Sequence, residues 1–242
     1  MKTNGYTGEI RPLVLLEGFT EVVMCPVRQS SHAPANSEQP ARQDGLLSLI
    51  EKRRSLRKYR QRQPDQSEID RIIRSATYAP SAHNAQPWRF YVIQDAKKKS
   101  ELIKQMAAKF RQDMEKNRVK EKVITGRIRR SIRLFSQAPV IIIATIDMTG
   151  MDRYPDTTRQ QAEMVMATQS LAAAIQNLLL AARAVGLGGC WYCAPLFCPE
   201  TVKSVLSLPD YYIPQALVTL GYPAENPPVP PRLHLDEIRF IL

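Results

Sequence analysis

A chain of 242 residues, of which 44% are hydrophobic, can bury one substantial core and is too short for several large domains. Four cysteines in a chain of this length exclude the dense disulfide framework of small secreted proteins and favour a reducing compartment. The formal net charge of +11 at pH 7 favours an anionic ligand or partner.

The first 43 residues differ in composition from the rest of the chain. The stretch "RQSSHAPANSEQPARQD" is rich in Ser, Pro, Gln and Ala and has no apolar periodicity. We therefore predict a flexible N-terminal extension over residues 1–43 and a single domain over residues 44–242. The apolar run Leu13–Leu16 is too short for the core of a signal peptide and ends at Glu17, so we expect a cytoplasmic protein.

A short apolar-periodic run between Leu46 and Ile50 predicts a helix, and the basic stretch "RRSLRKY" over residues 53–59 follows it. If the helix continues, Arg53 and Arg57 lie four residues apart on one face, and Ser55 adds a hydroxyl donor to the same ligand. A phosphate monoester suits such a group. An ordinary charged surface is the alternative.

The next predicted helix begins at Asp65, which with Glu68 resembles a capping box, and it ends before Pro80. The loop that follows, in "APSAHNAQPWRF" over residues 79–90, offers backbone and amide groups that could bind a flat heterocycle. His83 in this loop is either a proton donor or a loop hydrogen-bonding residue, and no carboxylate partner is identifiable from the sequence. Residues 88–93 predict a strand, with Trp88 in the core.

Residues 97–133 contain fourteen Lys or Arg against four Asp or Glu, which accounts for ten of the eleven net positive charges. This segment is either a solvated helical face or a site for an anionic small molecule or a nucleic acid. Phe110 is its only aromatic residue and no nucleic-acid-binding motif surrounds it, so we expect no nucleic-acid partner.

The remaining elements alternate between strands and helices. An apolar strand is predicted over 139–146, and a largely apolar helix over 157–185. Polar residues within this helix exclude a membrane span, so we place it in the core or at a subunit interface. Further predicted elements are a strand at 188–192, a helix that opens at Pro199, a strand over 214–223 and a proline-rich tail.

The stretch "GLGGCWYC" over residues 186–193 supplies glycines that allow close backbone approach, but it does not fit a dinucleotide-binding fingerprint. Cys190, Cys193 and Cys198 have the spacing C-x2-C-x4-C, which also occurs in zinc and iron–sulfur sites. No fourth ligand is evident nearby. We predict no metal and assign the three cysteines as small buried residues.

Taken together and in this order, "RRSLRKY", "APSAHNAQPWRF" and "GLGGCW" resemble the FMN-dependent nitroreductase superfamily over residues 45–242. The resemblance implies an α+β fold in which a central, mainly antiparallel sheet is flanked by helices. It also implies an intertwined homodimer with the flavin sites at the interface.

The resemblance implies the following FMN contacts. Arg53, Arg54, Ser55 and Arg57 match the family's first FMN segment, with Arg57 near the pyrimidine edge of the ring. Pro80, Ser81, Ala82 and Asn84 match the loop that reaches the flavin of the opposite subunit. Cys193 and Ala194 fall where backbone N–H groups meet the flavin N5/O4 edge, although the family often has Gly or Glu at position 193. Arg232 falls where a late basic residue returns to the phosphate.

The segments "YPDTTRQQAE", "GLGGCWYCAPLFCPE" and "LGYPAENPP" resemble most closely the C-terminal flavin-binding domain of coenzyme F-420:L-glutamate ligase. They fall within that domain alone, so glutamate ligation is not implied. The implied function is an FMN-dependent oxidoreductase that transfers hydride through flavin N5. The electron donor would be NAD(P)H or a reduced deazaflavin, and the substrate an anionic, F-420-type small molecule.

Three alternatives stay open. The first is a general NAD(P)H-dependent reductase of quinones or nitroaromatic compounds. The second is a non-catalytic basic binding protein, and the third is a relative that sequesters or degrades flavin.

Overall fold

The computed structural model describes residues 43–242, so the predicted N-terminal extension lies outside the described residues except at Gln43, where the first helix begins. The helices are α1 (Gln43–Lys52), α2 (Gln66–Ala76), α3 (Ala96–Lys116), α4 (Glu121–Ser136), α5 (Thr157–Ala184), α6 (Pro199–Leu206) and α7 (Leu235–Ile238). The strands are β1 (Trp88–Ile93), β2 (Val140–Asp147), β3 (Gly188–Tyr192) and β4 (Tyr212–Gly221).

The four strands form one antiparallel sheet in the order β1-β2-β4-β3. All eight residues of β2 are buried, because this central strand is covered on both faces. The predicted apolar strand at 139–146 is therefore confirmed within one residue at each end, and the predicted α+β class with an antiparallel sheet is confirmed as well.

Successive residues of β2 face two different cores. Ile142 and Ala144 belong to a core built with α2 and α5, whereas Ile141 and Ile143 belong to a core built with α3 and α6. The two-residue period of the strand explains this division. The sheet is consequently a middle layer between two helical layers.

The long helix α5 spans 28 residues. Among the described helices it alone has the length and composition of a membrane span. The mean hydropathy of its 18-residue apolar window is 1.4, and 39% of that window is buried inside the protein. It packs against the sheet and α2, with Leu171, Ile175 and Leu178 almost fully buried. This confirms the prediction of a core helix, while Val165 remains 53% exposed on another face.

The basic stretch 53–59 corrects one sequence-based expectation. Helix α1 ends at Lys52, and the chain continues in an extended form in which Ser55 bridges Gly189 and Tyr59 bridges Pro223. Leu56 and Tyr59 are buried against the sheet, and the Tyr59 hydroxyl lies 2.7 Å from Thr219 Oγ1. Because burying these side chains requires an extended chain, Arg53 and Arg57 do not share a helical face.

Candidate functional site

A narrow basic cleft opens between the extended stretch after α1, the end of α5 and the edge of the sheet. Its walls are Lys52, Arg53, Arg54, Leu56, Leu179, Arg183, Gly188, Gly189, Pro223, Glu225, Asn226 and Pro227. Within the described part of the chain, the side-chain cations of Lys52, Arg53 and Arg183 have neither a hydrogen-bond acceptor nor an ion-pair partner. Such a group of unpaired cations can bind an anion that carries several oxygen acceptors.

The single carboxylate in the cleft accepts hydrogen bonds from the backbone. Glu225 Oε1 accepts hydrogen bonds from the N–H groups of Arg57 at 2.7 Å and Lys58 at 3.1 Å. The neighbouring chain segments pair as well, since Arg60 N donates to the Tyr222 carbonyl at 2.9 Å. Glu225 therefore holds the backbone of the arginine stretch in place and does not form an ion pair with the guanidinium groups of that stretch.

Glycines at the start of β3 allow the arginine stretch to approach the sheet. A Cβ atom at Gly188 would lie 2.1 Å from Leu56 Cδ1, and one at Gly189 would lie 2.5 Å from the carbonyl oxygen of Thr219. Gly186 follows α5 with a φ of 80°, a conformation that favours glycine. These contacts explain the glycines of "GLGG" in structural terms.

The loop between α2 and β1 contains three non-glycine residues in left-handed conformations. His83, Asn84 and Gln86 have φ values of 55°, 52° and 47°. Strained residues of this kind concentrate at functional sites. The loop is anchored on α5, because Ala82 N donates a 3.2 Å hydrogen bond to Ser170 Oγ, whereas Asn84 and Pro80 are exposed.

The loop and the basic cleft lie at different places along α5. Ser170 contacts the loop and Arg183 lines the cleft, and at a rise of 1.5 Å per residue these positions are roughly 20 Å apart along the helix axis. One chain therefore does not bring Ser81, Ala82 and Asn84 to the cleft that contains Arg53.

The turn after β3 presents two free backbone donors. The N–H groups of Cys193 and Ala194 have no acceptor within the described residues. The expectation that all three clustered cysteines are buried is wrong for Cys193, which is exposed at the point where the chain leaves the sheet. Cys190 and Cys198 are buried as expected, and burial raises the pKa of Cys198 to about 11.

Arg57 and Arg232 do not line the basic cleft. The Arg57 guanidinium donates to the Ser55 carbonyl at 3.3 Å, and its charge acts on Tyr192. Burial raises the pKa of Tyr192, Arg57 acts in the opposite direction, and the buried Tyr192 hydroxyl has no partner within the described residues. Arg232 lies in the exposed tail, where its guanidinium donates to the Pro231 carbonyl.

Sequence reasoning missed Lys52, Arg183 and Glu225 as parts of the cleft. Arg183 is a polar residue near the end of a largely apolar helix, and Glu225 lies in the segment after β4, which ends at Gly221. Neither position has a motif that would have assigned it to a ligand site.

The profile of the nitroreductase family matches residues 50–222. The chain belongs to the nitroreductase family. It is 32% identical over 199 residues to a protein of Methanothermobacter thermautotrophicus whose name proposes NADH dehydrogenase/NAD(P)H nitroreductase activity, and the match covers 79% of this chain and 87% of that protein.

Two solved nitroreductase-like structures extend the comparison. A BluB-like flavoprotein from Clostridium difficile is 26% identical with a TM-score of 0.66, and the match covers 81% of this chain and 98% of that chain. A proposed nitroreductase from Desulfovibrio desulfuricans, solved in complex with FMN, is 26% identical with a TM-score of 0.62. That match covers 85% of this chain and 98% of that chain. The nitroreductase fold and an FMN-dependent oxidoreductase activity are thereby established for this chain.

Proposed function

We propose that FMN binds with its phosphate in the basic cleft, next to Arg53, Arg54 and Ser55. The observation that carries this proposal is the group of cations of Lys52, Arg53 and Arg183 in a narrow cleft, none of which has a partner among residues 43–242. Their donors suit the oxygen atoms of a phosphate monoester. When bound, FMN supplies hydride transfer at N5.

The other predicted contacts would be made with the flavin ring and, for Arg232, with the phosphate. Arg57 lies outside the cleft, where its positive charge would stabilise negative charge at the pyrimidine edge. The free N–H groups of Cys193 and Ala194 are donors for the N5/O4 edge. Arg232 would return to the phosphate from the exposed tail.

We further propose that residues 44–242 form the FMN-binding domain of a homodimer in the cytoplasm. The distance of roughly 20 Å along α5 between the loop anchor at Ser170 and the cleft residue Arg183 supports this arrangement. In a dimer, Pro80, Ser81, Ala82 and Asn84 of one protomer would meet the flavin held by the other.

For the substrate, we propose an anionic small molecule of the F-420 type, with NAD(P)H or a reduced deazaflavin as the electron donor. The positive charge of α3 and α4 supports this class, because exposed lysines and arginines raise the local concentration of an anion. General reduction of quinones or nitroaromatic compounds is the second candidate, supported by the name of the Methanothermobacter relative.

The experiment measures the binding and turnover of dehydro-F-420, F-420 and a neutral quinone by the FMN-loaded protein at two salt concentrations. We expect binding of the deazaflavins to weaken as salt rises, since screening limits exposed charges to about 8 Å at physiological ionic strength. A protein that stays colourless after incubation with FMN and desalting would overturn the proposed FMN site. Brisk quinone turnover without deazaflavin binding would overturn only the substrate class.

A charge variant tests whether the positive charge of α3 and α4 steers the substrate. Lys98 and Lys99 are unsuitable for this purpose, because Lys98 Nζ donates to the Val205 carbonyl at 3.0 Å and Lys99 Nζ donates to the Pro139 carbonyl at 2.7 Å. Lys122, Arg129 and Arg130 are exposed on α4. Replacing these three by Gln should reduce the salt dependence for deazaflavins and leave the neutral quinone unaffected.

A further inference from the structure

A buried carboxylate without a strong counter-charge lies in the second turn of α5. The Glu163 side chain is only 3% exposed, and within the described residues it pairs with no lysine or arginine. Its Oε2 atom accepts a hydrogen bond of 3.3 Å from the backbone N–H of Asp152, and its Oε1 atom accepts none from the residues that the structure describes. Buried charges of this kind are normally paired or bind a metal ion, because desolvation is costly.

The free oxygen of Glu163 faces two other potential ligands. His83 Nε2 lies 3.8 Å from Glu163 Oε1. His83, Asp152 and Glu163 each offer one ligand atom, and these atoms all lie within 4.8 Å of one another. The three residues come from the α2–β1 loop, the β2–α5 connection and α5, so the tertiary fold brings them together.

The spacing of these atoms suits a bridging ion better than a direct hydrogen bond. A hydrogen bond between His83 and Glu163 would need a separation near 3 Å. Two ligands of a four-coordinate ion with bonds of about 2.0–2.2 Å lie roughly 3.3–3.6 Å apart. The His83 and Asp152 side chains are exposed and can therefore reorient around an ion held at Glu163.

We propose that His83, Asp152 and Glu163 form a binding site for a divalent transition-metal ion, with zinc as the foremost candidate. An imidazole with two carboxylates suits zinc and its first-row neighbours, whereas magnesium and calcium prefer oxygen ligands alone. Water completes the coordination on the exposed side. The ion joins the strained loop at His83 to α5 and has no role in flavin chemistry.

The test is calorimetric titration of ZnCl2 into FMN-loaded, chelator-treated protein that carries no affinity tag. We expect one ion per chain, and Glu163→Gln or Asp152→Asn should weaken binding by about tenfold or more. Zinc should also raise the melting temperature of the wild type, because a ligand that binds only the folded state stabilises it.

His83→Asn and His234→Asn form a matched pair. His234 lies near Asp236 with a separation of 3.2 Å, but both side chains are mostly exposed. The His83 variant should lose zinc affinity and the His234 variant should keep it. Absence of zinc binding by the wild type, or equal affinity in wild type, Asp152→Asn and His83→Asn, would overturn the metal site and leave the FMN proposal intact.

Discussion

Arg53 and Arg183 lie in the same cleft although one precedes the first strand and the other ends the longest helix. Each is a cation without a partner within the described residues. A side chain whose charge is not used internally is available to a ligand. The structure therefore adds Arg183 and Lys52 to Arg53 and Arg54 as cations of the proposed phosphate site.

Replacing Arg53 by Ala should weaken FMN binding by about tenfold or more, because a hydrogen bond to a charged group contributes about 1.5–3 kcal/mol. Arg130, exposed on α4, provides the matched control, and Arg130→Ala should keep the wild-type affinity. Fluorescence titration of apoprotein with FMN measures both. Equal affinity in the two variants would remove Arg53 from the phosphate site.

At the scale of the elements, β3 reaches its place at the sheet edge only because its first two residues lack side chains. The carbonyl oxygen of Thr219 in β4 would lie 2.5 Å from a Cβ atom at residue 189, and this backbone atom cannot move aside without disturbing the β3–β4 pairing. Gly126 in α4 has no neighbour within 4 Å of an added Cβ atom. Packing against β4 therefore requires a glycine at position 189, whereas packing does not require one at position 126.

We expect Gly189→Ala to destabilise the fold by about 1–3 kcal/mol through overpacking. Gly126→Ala should stabilise it by about 0.5–1 kcal/mol, because alanine is favoured over glycine inside a helix. Urea unfolding monitored by circular dichroism compares the free energies of unfolding. A Gly189→Ala protein as stable as the wild type would show that β3 and β4 tolerate a wider separation.

At the scale of the whole molecule, apolar surface remains exposed in the single chain. Val165 on α5 is 53% exposed, and Phe240, Ile241 and Leu242 at the end of the tail are also exposed. Exposed apolar side chains at these positions are available to a protein–protein interface. This agrees with a dimer in which the loop at Ser81 serves the partner's flavin.

If the flavin is shared between protomers, weakening the dimer must release it. Val165→Asp places a charge on the exposed face of α5 and should shift sedimentation towards monomer, with loss of bound FMN. Val123→Asp on α4, where Val123 is 41% exposed, is the control and should remain dimeric and yellow. A stable FMN-loaded monomer of either protein at micromolar concentration would contradict the shared site.

The sequence by itself determined most of the helices and strands. Strand β3 matches its prediction at both ends, and α5 matches within one residue. Asp65 and Glu68 form the predicted capping box at α2, and Trp88 is buried. These features depend on local periodicity and capping, which neighbouring residues encode. The assignment of the basic stretch 53–59 to a phosphate stays a prediction.

Tertiary structure decided where chain segments meet. It ended α1 at Lys52 because Leu56 and Tyr59 are buried in an extended chain, and it paired Glu225 with the backbone of Arg57. It also placed the buried Glu163 beside His83, for which the sequence showed no carboxylate partner. Each of these contacts joins residues far apart in the chain, and local periodicity contains no information about which distant segment supplies a partner.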